Sequence, residues 1–322
     1  MKALSVFSGG LDSILAAEII RRLGIDVQAI FFETPFFTAA KAKETADAVN
    51  LPIRIVDITR RHLEVVKKPM HGYGGNMNPC IDCHALMFRI AGEMMNEEGA
   101  GFIITGEVLG QRPMSQNRGS LSVVEKQSGM GGFILRPLSA KLLPVTIPEE
   151  KGWIKREDLM DFSGRSRRPQ MELAKRLNIT RYPSPAGGCL LTEEVFSRRL
   201  KDLMSLNPLF EMREIELLKT GRHFRISPRT KVVVGRKEEE NDAIALLAKE
   251  EDLLLSTPSV PGPDVLVTGE ITTAVEELAA SITASYSDAG TGKTLVNIKS
   301  GGRDRLITAT GQEKESFRRY MI

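Results

Sequence analysis

Cys80, Cys83 and Cys189 are the only three cysteines of the 322-residue chain, and the first two stand in the run NPCIDCH, residues 78–84. If Pro79 opens a helix, Cys80 and Cys83 fall at i and i+3 on one face, close enough to bind one metal centre or to exchange sulfur. Cys189 follows Gly187 and Gly188, whose lack of side chains permits close approach. Three chemistries are open to such a set. A structural zinc site needs a fourth ligand, for which His62, His71, His84 and His223 are the candidates. Inert buried thiols are the second. The third is sulfur chemistry, through a persulfide or through a 4Fe-4S cluster on three thiolates, which leaves one iron open to bind sulfide.

A second cluster is SGGLDS, residues 8–13, directly after a short apolar run and at the start of a helical pattern. A strand-turn-helix junction of this kind aims backbone N–H groups and the positive helix end at one point, which suits a phosphate. Gly9 and Gly10 let the backbone approach the anion, and the Ser8 and Ser13 hydroxyls add donors. A carboxylate among phosphate-binding groups is better suited to Mg²⁺, and that is the role expected of Asp12. GTGKT, residues 290–294, looks like the tail of another phosphate loop, but its required first glycine falls at Ser287 and a helical pattern precedes it, so a polar turn is expected.

The elements that must position these groups follow from periodicity. ALSVF, VQAIFFE and IRIVDI alternate with SILAAEIIRRL and TAAKAKETADAVN, and a helix beginning at the NPCIDCH run leads into GFIITGE. This is the pattern of an open parallel sheet with helices on both faces, an α/β fold of the Rossmann-like kind. FILRPLS reads as one more strand. Beyond a basic helical stretch interrupted by YPSPAGG, the runs KVVVGR, EEENDAIALLAK, VEELAASITASYS and the pair TLVNIKS and DRLITATG, with GGR between them, predict a smaller α+β domain that ends in a hairpin. The expected divisions are 1–180 for the nucleotide domain, 181–205 for a connector carrying Cys189, and 206–322 for the last domain.

Charge is uneven. Residues 151–237 carry 20 Lys and Arg against 10 Asp and Glu, although the whole chain has a net charge of only +3, which points to a polyanionic partner for this stretch. No apolar run approaches membrane-spanning length, the N-terminal residues do not resemble a signal peptide, and an odd cysteine count argues against a disulfide framework. A cytoplasmic protein with no membrane partner is expected. The sequence sets no oligomeric state, and a dimer is compatible with it.

SGGLDS resembles the PP-loop of the N-type ATP pyrophosphatases, which cleave ATP between the α and β phosphates. NPCIDC is similar to the NPCxxC motif of bacterial tRNA 2-thiouridylases, whose second cysteine corresponds to Cys83 and whose distant partner would be Cys189. TGEVLGQRPMSQ, residues 105–116, and ILRPLS, residues 134–139, resemble tRNA 4-thiouridine synthetases, so these marks cover most of residues 1–190. In the last domain, VVVGRKEEENDAI, DLLLSTPSVPGPDVLV and ITASYS are similar to the NFACT-R RNA-binding domain.

The resemblance implies an ATP-dependent tRNA sulfurtransferase that adenylates a uridine carbonyl and replaces its oxygen with sulfur. It implies ATP bound by Ser8, Gly9, Gly10, Asp12, Ser13, Phe32, Gly106 and Gln111, with Mg²⁺ at Asp12. It also implies a 4Fe-4S cluster on Cys80, Cys83 and Cys189, zinc being the alternative, and sulfide or a persulfide donor as sulfur source. Candidate RNA contacts are Arg165, Arg167 and Arg168 in SGRSRRP, Arg222 and Arg225 with His223 in TGRHFRIS, and Gly235, Arg236 and Asn241. Two rivals use the same residues: a small-molecule ATP pyrophosphatase, amidotransferase-like or deazapurine nitrile-forming, with zinc on the thiols, and an RNA-binding protein that has lost catalysis.

Overall fold

A computed structural model describes residues 1–184 and 188–322, so the expectation resting on Gly187 lies outside the described residues. The chain divides into two compact units, Met1–Thr192 and Glu193–Ile322. The segment 181–205 is shared between them, and Cys189 belongs to the first.

The first unit runs β1 (Lys2–Val6), α1 (Leu11–Arg22), β2 (Asp26–Glu33), α2 (Ala40–Ala48), β3 (Ile53–Asp57), α3 (Thr59–Lys67), α4 (Cys80–Glu98), β4 (Phe102–Thr105), α5 (Arg118–Ser128), β5 (Ile134–Leu135), α6 (Ile147–Glu150) and α7 (Arg168–Arg176). Its five strands form a sheet in the order β3-β2-β1-β4-β5, and every pairing is parallel. Strand periodicity divides the side chains between two cores. Ala3, Phe31, Phe102 and Ile104 pack on one face with Leu11, Ile14 and Leu15 of α1 and Leu173 of α7, while Leu4, Ile30, Phe32 and Ile103 pack on the other with Leu86, Phe88 and Ala91 of α4. The α/β architecture with helices on both faces is therefore present as expected. The order reverses between β1 and β4, and in open sheets of this kind the crevice at the carboxyl ends of the diverging strands is where ligands bind.

FILRPLS contributes only two paired residues, Ile134 and Leu135. Arg136 leaves the ladder and buries its guanidinium on Glu107 and Glu125 instead. α4 stops at Gly99, whose left-handed φ of 65° lets its N–H cap the Met95 carbonyl. Gly101 N–H then donates to Lys2 O at 2.9 Å. That bond ties the end of α4 to the amino edge of the sheet, so its Cys80 end lies at the carboxyl edge.

The second unit runs α8 (Glu194–Leu206), α9 (Met212–Leu218), β6 (Arg222–Ser227), β7 (Thr230–Val234), α10 (Glu238–Leu247), β8 (Leu253–Ser256), β9 (Val265–Gly269), α11 (Thr273–Tyr286), β10 (Lys293–Ser300) and β11 (Arg303–Thr310). The six strands form an antiparallel sheet in the order β11-β10-β8-β9-β7-β6. Val232, Val234, Val267 and Ile298 pack on one face with Ala280 and Ile282 of α11; Val233 and Leu266 pack on the other with Leu217 of α9 and Ile244 of α10. β10 and β11 pair as a hairpin, and residues 288–291 form a polar turn after α11, as the sequence predicts for GTGKT. Among the described residues no helix is long and apolar enough to cross a membrane.

Candidate functional site

The loop after β1 is built by small residues under steric control. Gly9 has a φ of 76°, and a Cβ there would lie 2.8 Å from Ala42 Cα and from Thr45 Oγ1. Ser13 Oγ donates to Gly10 O at 2.8 Å, and Ser8 Oγ lies 3.4 Å from Ser13 Oγ, so the two hydroxyls cinch the turn that opens α1. Gly106, just beyond β4, sits directly beneath this turn. A Cβ on Gly106 would overlap Ser13 N and come 2.5 Å from Asp12 C. The ends of β1 and β4 thus meet backbone to backbone at the sheet's switch point.

Asp12 points into that crevice. Its Oδ2 accepts from Gln111 Nε2 at 2.9 Å, whereas its buried Oδ1 has no hydrogen-bond partner. Burial pushes the Asp12 carboxyl above its ordinary range, against the pull of Gln111 and of the Arg167 and Arg112 guanidiniums nearby. The buried, unpartnered oxygen fits a hard cation such as Mg²⁺, which takes oxygen ligands. Ser8, Gly9, Gly10, Asp12, Ser13, Gly106 and Gln111 are gathered here. Phe32 is not at the loop: it is 2% exposed and packs in the core with Leu4, Ile30 and Leu86.

The thiols collect at the same carboxyl edge. Pro79 caps α4, and Asn78 Nδ2 donates to Cys80 Sγ at 3.1 Å. Cys83 Sγ lies 3.3 Å from His62 Nε2 of α3. The His62 ring packs on Phe36, with centroids 5.7 Å apart, and Phe36 O accepts from Leu190 N–H at 3.1 Å. That bond brings the segment carrying Cys189 up to the helical pair. Burial pushes the Cys83 thiol far up, and neighbouring Cys189, Cys80 and Asp82 add to the shift. Burial also pulls His62 down to about 4, so Cys83 and His62 form an uncharged pair at neutral pH.

None of the three cysteines is in a disulfide, and among the described residues no group of three or more His, Cys, Asp or Glu side chains is arranged to hold a metal ion. Three thiols are nonetheless the donor number and chemistry that a three-thiolate cluster uses. Of the histidines weighed as a fourth ligand, His62 is beside Cys83. His71 Nδ1 binds Asp82 at 2.9 Å, and His84 Nδ1 binds buried Glu107 at 2.8 Å. His223 is 1% exposed in the second unit, with Nε2 on Thr220 O at 2.8 Å.

The remaining sequence candidates fall in varied settings. Arg165 is exposed, and Arg168 is exposed and bonded to Glu172 one turn along α7. In the second unit Arg222 lies over the Tyr286 ring, 5.1 Å from its centroid, while Arg225 makes a two-point contact with Asp202 at 3.1 and 2.6 Å. Arg236 is bonded to Glu240 through Nε at 3.0 Å. Asn241 Oδ1 accepts from Asp264 N–H at 3.0 Å and touches Gly235 so closely that no Cβ fits there. Sequence reasoning missed Gln170, Arg112 and the His84–Glu107–Arg136 chain. Glu107 and Arg136 stand within the TGE and LRPL runs, so a buried acid and base in two adjacent strand ends was the available signal.

Fold, switch point and loop together define an α/β domain of the PP-loop kind. Residues 1–141 match the family of the thiamine biosynthesis protein (ThiI), and residues 221–321 match the NFACT protein RNA binding domain. The two matched segments take in the five-stranded parallel sheet and most of the second unit. Among similar curated proteins, a probable tRNA sulfurtransferase of Thermoanaerobacter sp. (strain X514) is 30% identical over 146 residues, 42% of this chain and 36% of that protein. One from Staphylococcus aureus (strain MRSA252) is 29% identical over 170 residues, 50% of this chain and 38% of that protein. The chain thus spans little more than a third of the length of these relatives. A solved predicted subunit of tRNA methyltransferase from Methanocaldococcus jannaschii is 17% identical, with a TM-score of 0.36 over 55% of this chain and 76% of that one.

Proposed function

We propose that the chain is an ATP-dependent tRNA sulfurtransferase of the cytoplasm that thiolates a uridine. The observation that carries this reading is the approach of Cys189 to Cys83 at the sheet edge that also bears the PP-loop, because one site then holds both an activator and a sulfur carrier. The similarity to tRNA sulfurtransferases and to an RNA-binding domain supports tRNA as the substrate.

In the first step the uridine carbonyl oxygen attacks the α-phosphorus of ATP, the bond to the β-phosphate oxygen breaks, and pyrophosphate leaves. Ser8, Gly9, Gly10 and Ser13 hold the leaving phosphates with N–H and O–H donors, Gly106 lets the loop seat, and Gln111 orients Asp12 toward Mg²⁺. In the second step sulfur at the sulfide oxidation level attacks the activated carbon, AMP departs with the former carbonyl oxygen, and the sulfur proton goes to solvent. Cys80, Cys83 and Cys189 hold the sulfur source, and a 4Fe-4S cluster bound there would supply an open iron that carries sulfide. Arg165, Arg168 and Arg222 present cations for tRNA phosphates.

Nucleoside mass spectrometry of tRNA from cells with and without the gene tests the reading, combined with pyrophosphate release by the anaerobically purified protein. A thiolated uridine that disappears with the gene, and pyrophosphate release stimulated by tRNA, are expected. Unchanged tRNA nucleosides with a zinc-bound, tRNA-indifferent protein would refute it in favour of a small-molecule pyrophosphatase.

A further inference from the structure

α7 contributes polar groups to the PP-loop crevice that no motif of the nucleotide domain announces. Ser139 Oγ donates to Phe162 O at 2.7 Å and accepts from Leu109 N–H at 3.0 Å. Gly164 N–H donates to Leu109 O at 2.8 Å, and Leu109 and Ser163 form a parallel bridge. The segment entering α7 is therefore fastened to the strand-like stretch that ends in Gln111, the partner of Asp12. Leu173 and Ala174 pack in the same core as Leu11 and Ile14 of α1, and Arg22 of α1 donates to Leu177 O at 2.9 Å. α7 is thereby held against α1.

Gln170 is 1% exposed; its amide makes only a loose contact with the Asp12 carboxyl, and neither Nε2 nor Oε1 reaches a partner at full hydrogen-bond distance. Arg167 Nε is likewise buried and unpartnered. Both side chains bear on the Asp12 carboxylate. A buried amide held only loosely costs free energy in the unliganded fold, and a guanidinium whose buried Nε is unpartnered, at the start of a helix, is suited to phosphate oxygens.

We infer that Arg167 and Gln170 form, with the 8–13 loop, a subsite for the pyrophosphate end of ATP, the Arg167 guanidinium and the Gln170 amide N–H donating to phosphate oxygens beside Asp12. This inference rests on the proposed ATP chemistry but concerns ligand binding alone. Arg167 then serves the nucleotide, not the RNA contact that the SGRSRRP run suggests by itself.

Calorimetric titration of the full chain with pyrophosphate, Mg-ATP and AMP tests it in wild type, Arg167→Gln, Gln170→Met and, as a charge control on the exposed last turn of α7, Arg176→Gln. Both site variants should bind pyrophosphate and Mg-ATP about tenfold or more weakly while AMP changes by less than about twofold, and Arg176→Gln should match wild type. Without ligand, Gln170→Met should melt no lower than wild type, whereas a purely structural glutamine would leave a lower melting temperature. Wild-type pyrophosphate affinity in both variants, an equal loss of AMP, or no pyrophosphate binding by wild type would each overturn the inference. Loss of pyrophosphate binding in the variants of a protein that thiolates no tRNA would leave the subsite standing and refute the tRNA reading instead.

Discussion

Gln111 Nε2 donates to Asp12 Oδ2 at 2.9 Å across 99 residues of sequence, and it is the hydrogen bond that fixes the carboxylate of the phosphate loop. The other oxygen is buried and has no partner at hydrogen-bond distance. Replacing Gln111 with Ala removes the bond and lets the carboxylate swing, with the loss of a charge-assisted interaction worth about 1.5–3 kcal/mol. Pyrophosphate release by Gln111→Ala should therefore fall by about tenfold or more, and the melting temperature should drop by several degrees. A rate equal to wild type would show that Asp12 needs no orienting partner.

Gly106 sets a steric limit on the same loop. An alanine methyl at this position would press on backbone atoms of Asp12 and Ser13, neither of which can turn away as a side chain would. Gly106→Ala should destabilise the first unit by about 1–3 kcal/mol, as small-to-large changes in packed sites do, and should lose ATP binding even where the fold survives. The check is a denaturant titration paired with nucleotide binding. Full ATP affinity in the variant would mean that the loop can rise off β4.

His62 and Cys83 link two helices to the Cys189 segment through Phe36. Cys83→Ala and Cys189→Ala are each expected to abolish thiolation in cells while sparing ATP binding, because the thiols lie outside the phosphate loop. If a cluster is the sulfur carrier, either variant purified without oxygen should contain much less iron and acid-labile sulfide than wild type. Equal iron in wild type and both variants would separate these thiols from metal binding. His62→Phe keeps a ring against Phe36 and removes the nitrogen beside Cys83; retention of Cys189 function in that variant would show that packing, not the Sγ···Nε2 contact, is what His62 provides.

Much of this site was legible because its parts are short runs whose spacing has a local cause. SGGLDS fills one strand-to-helix turn, NPCIDC fills the first turn of α4, and both can be placed without knowing the remainder of the fold. The pairing of Gln111 with Asp12 was beyond sequence reading, since it depends on β4 lying beside β1. Gln170 and Arg167 were hidden for a similar reason: in a basic run the charge of Arg167 suggests RNA and a glutamine suggests nothing, and only the packing of α7 on α1 brings them near the loop. α5 escaped notice because few of its residues face the core, Leu121 and Val124 among them; its start is marked instead by Asn117, whose side chain accepts from Ser120 N–H. β6 was missed as a strand because His223 is buried beside Phe224, which breaks the polar and apolar alternation expected of a half-buried strand.

The second unit carries its own pH signature in Lys231 of β7, which is 8% exposed. Burial pulls its ammonium from 10.5 down to about 7, with Asp202 partly opposing the shift and Arg225 and Arg199 adding to it. Between those two values the unfolded chain holds a proton on Lys231 that the folded chain has released, so stability rises with pH across that window and has no further slope from this group below it. Replacing Lys231 with Met deletes the titration while keeping an unbranched apolar stem. The stability advantage of Lys231→Met over wild type, measured by urea denaturation of the full chain, should be largest near pH 7 and shrink toward pH 10, by on the order of 4 kcal/mol over the whole interval. Groups that do not interact with Lys231 cancel in that difference, and His223, which burial and Lys231 push well below its ordinary range, titrates below this window. A difference that stays constant with pH would mean that the folded protein keeps Lys231 charged, with Asp202 and Glu214 as adequate partners.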